Sequence, residues 1–264
     1  MKTLCEKLNF DDYITNTVLN YDKNVDYNQI QDKINMLYDK STWDTGIKQL
    51  ESYVSPDKNG LKMLTICLHC LSKTYSMYKQ KEIDDKIFFD TMAFLPRFIN
   101  KHKKIHGLYA FTWAWWFVRQ ISMFEFRIDD FEFEFMGDNK TISLHIPSDA
   151  NLKNGKIDVI FDFINKYYPE YKNANIICES WLLVPELKKL LPEDSNIVKF
   201  QNQFIISKVD YDSPAFMDWI YSSRDIEYLN LPENTTLQKN LKKYLLSGKK
   251  FGWGYGIYSN FKIK

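Results

Sequence analysis

Three side chains near the middle of the chain can carry acid–base or nucleophilic chemistry: His145, Cys178 and Glu179. The imidazole of a histidine, whose ordinary pKa lies near about 6.5, can take a proton from an ammonium group directly or through water. Glu179 is a second candidate base, and Cys178 is a candidate nucleophile. The alternatives are a histidine hydrogen-bonded across a sheet and a cysteine buried in the core.

Two other clusters carry ligand-type side chains. The sequence Cys67-Leu68-His69-Cys70 contains good zinc ligands, but it is one cluster within apolar residues at helical spacing, so we expect a core helix and no metal site. The basic run from Lys101 to His106 can contact phosphates, although such a run is more often a solvated turn between helices.

The first part of the chain, from Phe10 to about Tyr109, has apolar residues at helical spacing. Helices are predicted at Gln29–Tyr38, Leu61–Tyr78 and Asp84–Phe98, and the aromatic segment Tyr109–Val118 must be largely covered. The sequence therefore predicts a helical N-terminal domain over residues 1–118.

The periodicity changes after Gln120. Residues 131–135 alternate phenylalanine with glutamate, and turn residues flank them, which predicts a three-strand antiparallel meander over Ile121–Ile146. We expect Glu132 and Glu134 to form a solvated face opposite the phenylalanines.

After the meander, predicted helices and strands alternate. The helices are Lys156–Tyr168, Pro185–Leu191 and Thr236–Leu246, and the strands are Asn175–Leu183, Ile197–Val209 and Gly252–Tyr258. The predicted fold class is therefore α+β (mixed α/β), with a helical N-terminal domain and a C-terminal domain, residues 119–264, built on a central mixed sheet.

Bulk properties exclude several classes of protein. Of 264 residues, 45% are hydrophobic, which is enough for a real core, and 35 Lys and Arg balance 34 Asp and Glu. This balance provides no net field to attract nucleic acid or an anionic membrane. Because the chain has no apolar run of about 20 residues and no apolar leader, we expect a cytoplasmic protein without nucleic-acid or membrane partners.

Four segments resemble a bacterial family of acyltransferase-domain proteins that join a helical N-terminal domain to a GNAT-like C-terminal domain. The segments are Leu144–Leu152, Ser180–Leu187, Leu190–Ile197 with Phe200-Gln201, and Leu231–Gln238. The resemblance implies transfer of an acyl group, with acetyl as the expected group, from acyl-CoA (acetyl-CoA) to an amine of a small molecule or peptide. It also implies that the strand ending at Pro147 and the strand Asn175–Leu183 are the parallel pair that separates to admit the pantetheine arm.

In that family, the loop after the first of these strands binds pyrophosphate through small residues and backbone N–H groups. Here the corresponding loop, Pro147–Lys156, has one glycine, Gly155, and not the usual glycine-rich pattern. The predicted cofactor-binding residues are Ile146, Ser148, Asn151, Lys153, Asn154 and Lys156. The alternative is an N-capped helix with solvated lysines.

The resemblance also suggests roles for other residues. His145 is the best-placed general base, Glu179 is a second one, and Tyr255 is a candidate acid for the departing thiolate. Predicted substrate contacts are Glu125, between two phenylalanines, and Trp113, Trp116 and Trp181.

Three functional hypotheses follow. The first is a GNAT-like acyltransferase that uses direct attack by the amine. The second is a non-catalytic binding or interaction protein that kept the sheet and lost the phosphate loop. The third is a hydrolase that uses Cys178 with His145.

Overall fold

A computed structural model describes residues 1–153 and 155–259. The chain divides into two compact units, Met1–Ile128 and Asp129–Lys264. The domain boundary expected after residue 118 stays a prediction. Within the described residues, no helix is both long enough and apolar enough to cross a membrane.

The first unit is helical and ends with one strand. Its helices are α1 (Lys2–Lys7), α2 (Asp12–Asp22), α3 (Tyr27–Met36), α4 (Trp43–Val54), α5 (Leu61–Gln80), α6 (Asp85–Met92), α7 (Phe94–His106) and α8 (Ala114–Ile121), and the strand is β1 (Glu125–Ile128). Asp11, Asp26 and Asp84 begin three of these helices by accepting backbone N–H groups, since the first turn of a helix lacks internal partners.

The long helix α5 lies at the centre of this unit. Most of its side chains from Leu61 to Leu71 are buried, among them Leu64, Ile66 and Cys67, which are fully covered. The interpretation of the Cys67–Cys70 segment as a core helix therefore agrees with the burial of both thiols.

One predicted helix of this unit differs from the structure. The segment predicted as one helix, Asp84–Phe98, forms α6 and α7, which are separated at Ala93. Pro96 explains the break, because a proline has no N–H to donate to the carbonyl group of Met92. The aromatic segment 109–118 becomes helical only at Ala114.

The second unit alternates strands with short helices. Its strands are β2 (Phe131–Phe135), β3 (Thr141–His145), β4 (Asn175–Ser180), β5 (Phe204–Asp210) and β6 (Trp253–Tyr258). Its helices are α9 (Asp158–Tyr167), α10 (Leu187–Leu190), α11 (Asn196–Gln201), α12 (Phe216–Ile220) and α13 (Thr236–Leu246).

These strands form a sheet in the order β2-β3-β4-β6-β5. The pair β3 and β4 is parallel, whereas β2–β3, β4–β6 and β6–β5 are antiparallel. The predicted α+β class with a mixed sheet is confirmed. One face of the sheet carries Phe133, Leu144 and Cys178, all buried, and Phe163 of α9 packs edge-on against Phe133.

Parts of the predicted strands are helical. The first residues of the predicted strand Ile197–Val209 belong to α11, because Ser195 caps that helix by accepting the N–H of Val198 over 3.2 Å. The predicted strand Asn175–Leu183 ends at Ser180, whose hydroxyl accepts the N–H of Leu182 and begins a short 3₁₀ turn. Helix α13 was predicted with the bounds that it has.

The expectation that Glu132 and Glu134 are solvated is wrong. Their side chains lie on one face of β2, but they are 7% and 5% exposed. Alternation along a strand shows which residues share a face, and it does not show whether other parts of the protein cover that face.

Two glycines of the first unit have similar positive φ angles, so replacing each with alanine compares the loss of stability in a packed and in an open environment. Gly60 (φ +68°) precedes α5 and Gly107 (φ +74°) follows α7. A Cβ on Gly60 lies 1.9 Å from the carbonyl oxygen of Phe111, whereas a Cβ on Gly107 has no atom within 4 Å among the described residues. We expect Gly107→Ala to cost about 1–2 kcal/mol of unfolding free energy and Gly60→Ala to cost clearly more, as measured by urea denaturation. Equal costs would contradict this packing argument.

Candidate functional site

The parallel strands β3 and β4 pair over a short ladder. It runs from Thr141 opposite Asn175 to Leu144 opposite Cys178. Among the described residues, His145 and Glu179 come next on the two strands and are not part of that ladder. His145 remains paired with Glu132 of β2, and Glu179 remains paired with Tyr255 of β6. Each strand thus stays bound to its outer neighbour beyond the point where the two stop pairing with each other.

The three predicted catalytic residues occupy one level of the sheet. Paired residues of neighbouring strands point to the same face, so Glu179 and Tyr255 share a face, and the register of Leu144 with Cys178 places His145 on that face too. The face is opposite the buried side chains of Leu144 and Cys178. The structure therefore brings His145, Glu179 and Tyr255 into one row, while their catalytic roles stay predictions.

His145 lies beside a buried carboxylate. Its Nε2 is 3.6 Å from Oε2 of Glu134, and the two side chains are 26% and 7% exposed. A carboxylate next to an imidazole can orient the ring and stabilise its protonated form. Glu134 was missed as a site residue because its alternation with phenylalanines is also typical of a solvent-exposed strand face.

Tyr255 is held in its protonated form. Partial burial raises the pKa of its hydroxyl, and the negative charges of Glu179 and Asp210 raise it further. The amino group of Lys208 lies 5.5 Å from the ring centroid. A tyrosine with a raised pKa carries its proton at neutral pH and is able to donate it.

The loop after β3 is shaped by its own hydrogen bonds. The N–H of Asn151 donates to Oδ1 of Asp130, the N–H of Lys153 donates to Oδ1 of Asn151, and the N–H of Gly155 donates to the carbonyl oxygen of Asn151. Gly155 lies against Phe131, since an added Cβ would be 2.8 Å from the ring. The single glycine of this loop therefore permits close packing against β2.

The predicted cofactor-binding residues belong to this loop, except Ile146, which precedes it in the sequence. Ser148, Asn151, Lys153 and Lys156 are exposed and Ile146 is half-buried, whereas Asn154 lies outside the described residues. No described side chain caps the first turn of α9, which begins after Ile157. That turn therefore has N–H groups that a phosphate can accept.

Asp158 occupies the first position of α9, and its carboxylate accepts the hydroxyl of Tyr258 over 3.0 Å. Tyr258 is buried and engaged in this contact. Tyr258 is three residues after Tyr255 on β6 and therefore points to the opposite face, so Tyr255 is the one of the two on the face with His145.

The predicted substrate contacts lie in different units. Trp113, Trp116 and Glu125 belong to the first unit, where Glu125 is buried and accepts a hydrogen bond from Nε2 of Gln120. Trp181 belongs to the second unit, follows β4 and packs against a buried cluster that includes Leu187. Their substrate-binding roles stay predictions.

Cys178 is fully buried on the core face of β4, and burial raises the pKa of its thiol well above the ordinary value. A thiol in this state is a poor nucleophile, because the thiolate is the reactive form. The geometry therefore does not favour the hydrolase hypothesis.

All four cysteines, Cys5, Cys67, Cys70 and Cys178, are free and buried. We expect native protein to give almost no rapid reaction with Ellman's reagent and to release four thiols only in denaturant, since burial raises the pKa of each thiol. Absorbance at 412 nm measures this. A fast-reacting equivalent that Cys178→Ser abolishes would reopen the hydrolase hypothesis.

Structural comparison identifies acyltransferases of the same fold. One, described as an acyltransferase in complex with decanoyl-CoA, has a TM-score of 0.63 and 20% identity, and the match covers 74% of this chain and 65% of that one, just under two thirds of its length. Another, in complex with decanoyl-CoA and teicoplanin, has a TM-score of 0.75 and 14% identity over 97% of this chain and 86% of that one. At these identities the likeness establishes the fold. A search among curated proteins finds no match.

Family models cover nearly the whole chain. Residues 1–123 match the N-acyltransferase N-terminal domain, and residues 71–258, well over half of the chain, match the GNAT-like C-terminal domain. These matches agree with the helical first unit and with the mixed sheet of the second. The chain belongs to the acyltransferase family defined by a GNAT-like C-terminal domain, here combined with an N-acyltransferase N-terminal domain.

Proposed function

We propose that this protein transfers an acyl group from acyl-CoA to an amine by direct attack of the amine on the thioester. The observation that carries the proposal is the end of the β3–β4 ladder at Leu144 and Cys178, while both strands continue beside their outer neighbours. The pantetheine arm is assigned to this place, next to the main chain of β3 and of the loop that follows it.

The residues of this row supply the proton transfers. His145 takes a proton from the ammonium group of the acceptor, so that the neutral nitrogen attacks the thioester carbon. A C–N bond forms, the C–S bond breaks, and Tyr255 gives its proton to the departing thiolate. The attacking nitrogen releases its second proton to water, and Tyr255 takes a proton back from water. Glu134 orients His145 from 3.6 Å, and Glu179 is the alternative base.

The phosphates of CoA are assigned to the loop after β3. Ser148, Asn151, Lys153 and Lys156 provide hydroxyl, amide and ammonium donors in the segment that leads to the uncapped first turn of α9. Asn154, outside the described residues, is assigned to the same set by its place in the sequence. These side chains replace the glycine-rich backbone cradle, because Gly155 is packed against Phe131 and the N–H groups of Ala150, Lys153 and Gly155 already have acceptors within the loop.

The acyl group and the acceptor are proposed as chemical classes. The sequence favours acetyl, whereas the solved acyltransferases of this fold are described in complex with decanoyl-CoA and octanoyl-CoA, so medium-chain groups are the second candidate. One of those structures contains teicoplanin, which supports a small molecule as the acceptor class.

Isothermal titration with acetyl-, octanoyl- and decanoyl-CoA tests the proposal without a known acceptor. We expect at least one thioester to bind, and we expect Lys153→Ala combined with Lys156→Ala to weaken its binding. A matched control is the exposed pair Lys188→Ala and Lys189→Ala on α10, outside the loop. If none of the three thioesters binds, the non-catalytic hypothesis replaces this one.

A further inference from the structure

The first unit contains a cavity of about 470 Å³ that the proposed acyl transfer does not use. Its walls come from α1, α2, α5 and α6, and its apolar lining includes Leu68, Leu71, Phe88 and Phe89. This volume is in the range of pockets that bind small organic molecules. All of its lining residues lie between Met1 and Phe89, whereas the proposed catalytic row lies in the second unit.

Two polar groups of the cavity are held in place by Tyr27. The hydroxyl of Tyr27 donates to Oδ1 of Asp22 over 2.5 Å, and its ring stacks on the imidazole of His69, with centroids 3.5 Å apart and an angle of 13° between the planes. Asp22 and His69 both line the cavity. A carboxylate and an imidazole fixed by one tyrosine form a preorganised polar end.

Both groups keep hydrogen-bonding capacity toward the cavity. Within the described residues, Oδ2 of Asp22 and the ring nitrogens of His69 have no hydrogen-bond partner. Burial lowers the pKa of His69, which leaves the ring neutral near pH 7. The polar end of the cavity therefore offers one negative charge and a neutral donor or acceptor.

In the described part of the chain, two cations lie on the cavity wall. One is the N-terminal ammonium of Met1, whose positive charge contributes to the lowered pKa of His69. Lys7 also lines the cavity, and its amino group is 5.1 Å from the centroid of the Phe89 ring, where a cation–π contact holds it. An ammonium group on a ligand is the natural partner for the open carboxylate oxygen of Asp22, and an aliphatic or aromatic body fits the lining formed by Leu68, Leu71 and Phe88.

We propose that this cavity is a second ligand site that binds an amphipathic primary amine, with its ammonium group on Asp22, a hydrogen bond to His69 and its apolar part between α5 and α6. The ligand-binding role assigned to His69 differs from a zinc site, because helical geometry turns His69 toward the cavity while Cys67 and Cys70 point into the core.

Isothermal titration of the full chain with n-octylamine tests the site, with n-octanol and octanoate as matched probes of the same length. We expect octylamine to bind and the other two to bind at least about tenfold more weakly, because a charge-assisted hydrogen bond to Asp22 is lost. Equal binding of the alcohol, stronger binding of the carboxylate or no binding of the amine would overturn the proposal.

Variants locate the bound amine. Asp22→Asn keeps a hydrogen-bond acceptor for Tyr27 and removes the negative charge. We expect this variant to bind octylamine about tenfold more weakly, or more weakly still. Asp32→Asn, on the exposed side of α3, is the matched control and should leave octylamine binding unchanged.

Ser72→Trp adds bulk at an exposed residue of the cavity wall and should abolish octylamine binding. Unchanged affinity in both Asp22→Asn and Ser72→Trp would place the amine elsewhere and refute the site.

Discussion

Replacing His145 with alanine is expected to lower kcat by about 10²- to 10⁴-fold, the contribution usual for a general base. In the proposed reaction the imidazole removes a proton from the attacking amine, and the ring beside Glu134, 26% exposed, is positioned on the face that also carries Glu179 and Tyr255. The measurement is the rate of CoA release with Ellman's reagent, once an accepted thioester and an acceptor amine are known.

The matched control is His106→Ala, an exposed histidine at the end of α7, which should leave the rate unchanged. His145→Gln, which keeps a hydrogen-bonding side chain without a titratable nitrogen, should be as slow as His145→Ala. If both variants keep full activity, His145 is not the base, and Glu179→Gln becomes the next variant to measure.

Placing a large side chain at Ile146 is expected to weaken acyl-CoA binding by about 100-fold, a cost typical of forcing extra bulk into a packed site. Ile146 is the first residue after β3, half-buried, at the level where β3 and β4 have ceased to pair. An indole at this position, in Ile146→Trp, occupies the space assigned to the pantetheine arm. Isothermal titration against the thioester that binds the unmodified protein gives the affinity.

Ile205→Trp is the control for this substitution, because Ile205 lies on β5 and is 66% exposed. It should keep both affinity and thermal stability. If Ile146→Trp keeps the melting temperature of the unmodified protein, its weaker binding of acyl-CoA comes from a blocked site and not from a disturbed fold. Undiminished acyl-CoA binding in that variant would show that the arm does not pass between β3 and β4.

Much of the architecture could be read from local patterns. The change from helical spacing to the alternation of residues 131–135 marks the start of the sheet, whereas the parallel pairing of β3 with β4 was implied by the family resemblance. The predicted strand bounds were wrong where a capping side chain begins a helical turn, as at Ser195 before α11 and at Ser180, the last residue of β4. A serine hydroxyl that accepts a backbone N–H ends an extended segment, although β-branched and aromatic residues follow.

The site was less predictable than the fold. His145, Glu179 and Tyr255 could be chosen separately from their chemistry, but their common row depends on the register of three strands that are distant in sequence. Glu134 and Asp22 were missed, since a carboxylate next to aromatic residues has the same local sequence whether its face is covered or open. The orientation of His69 toward a cavity depends likewise on how α1, α2 and α6 pack around α5.

The position of β6 between β4 and β5 bears on how the sheet is assembled during synthesis. Residues 253–258 supply the shared neighbour of two strands that are made much earlier, so neither β4 nor β5 acquires its β6 partner until this late segment has left the ribosome. Pairings between segments so distant in sequence form slowly. Until then, two unpaired strand edges are open to other nascent chains, which makes truncation before residue 253 a direct route to aggregation.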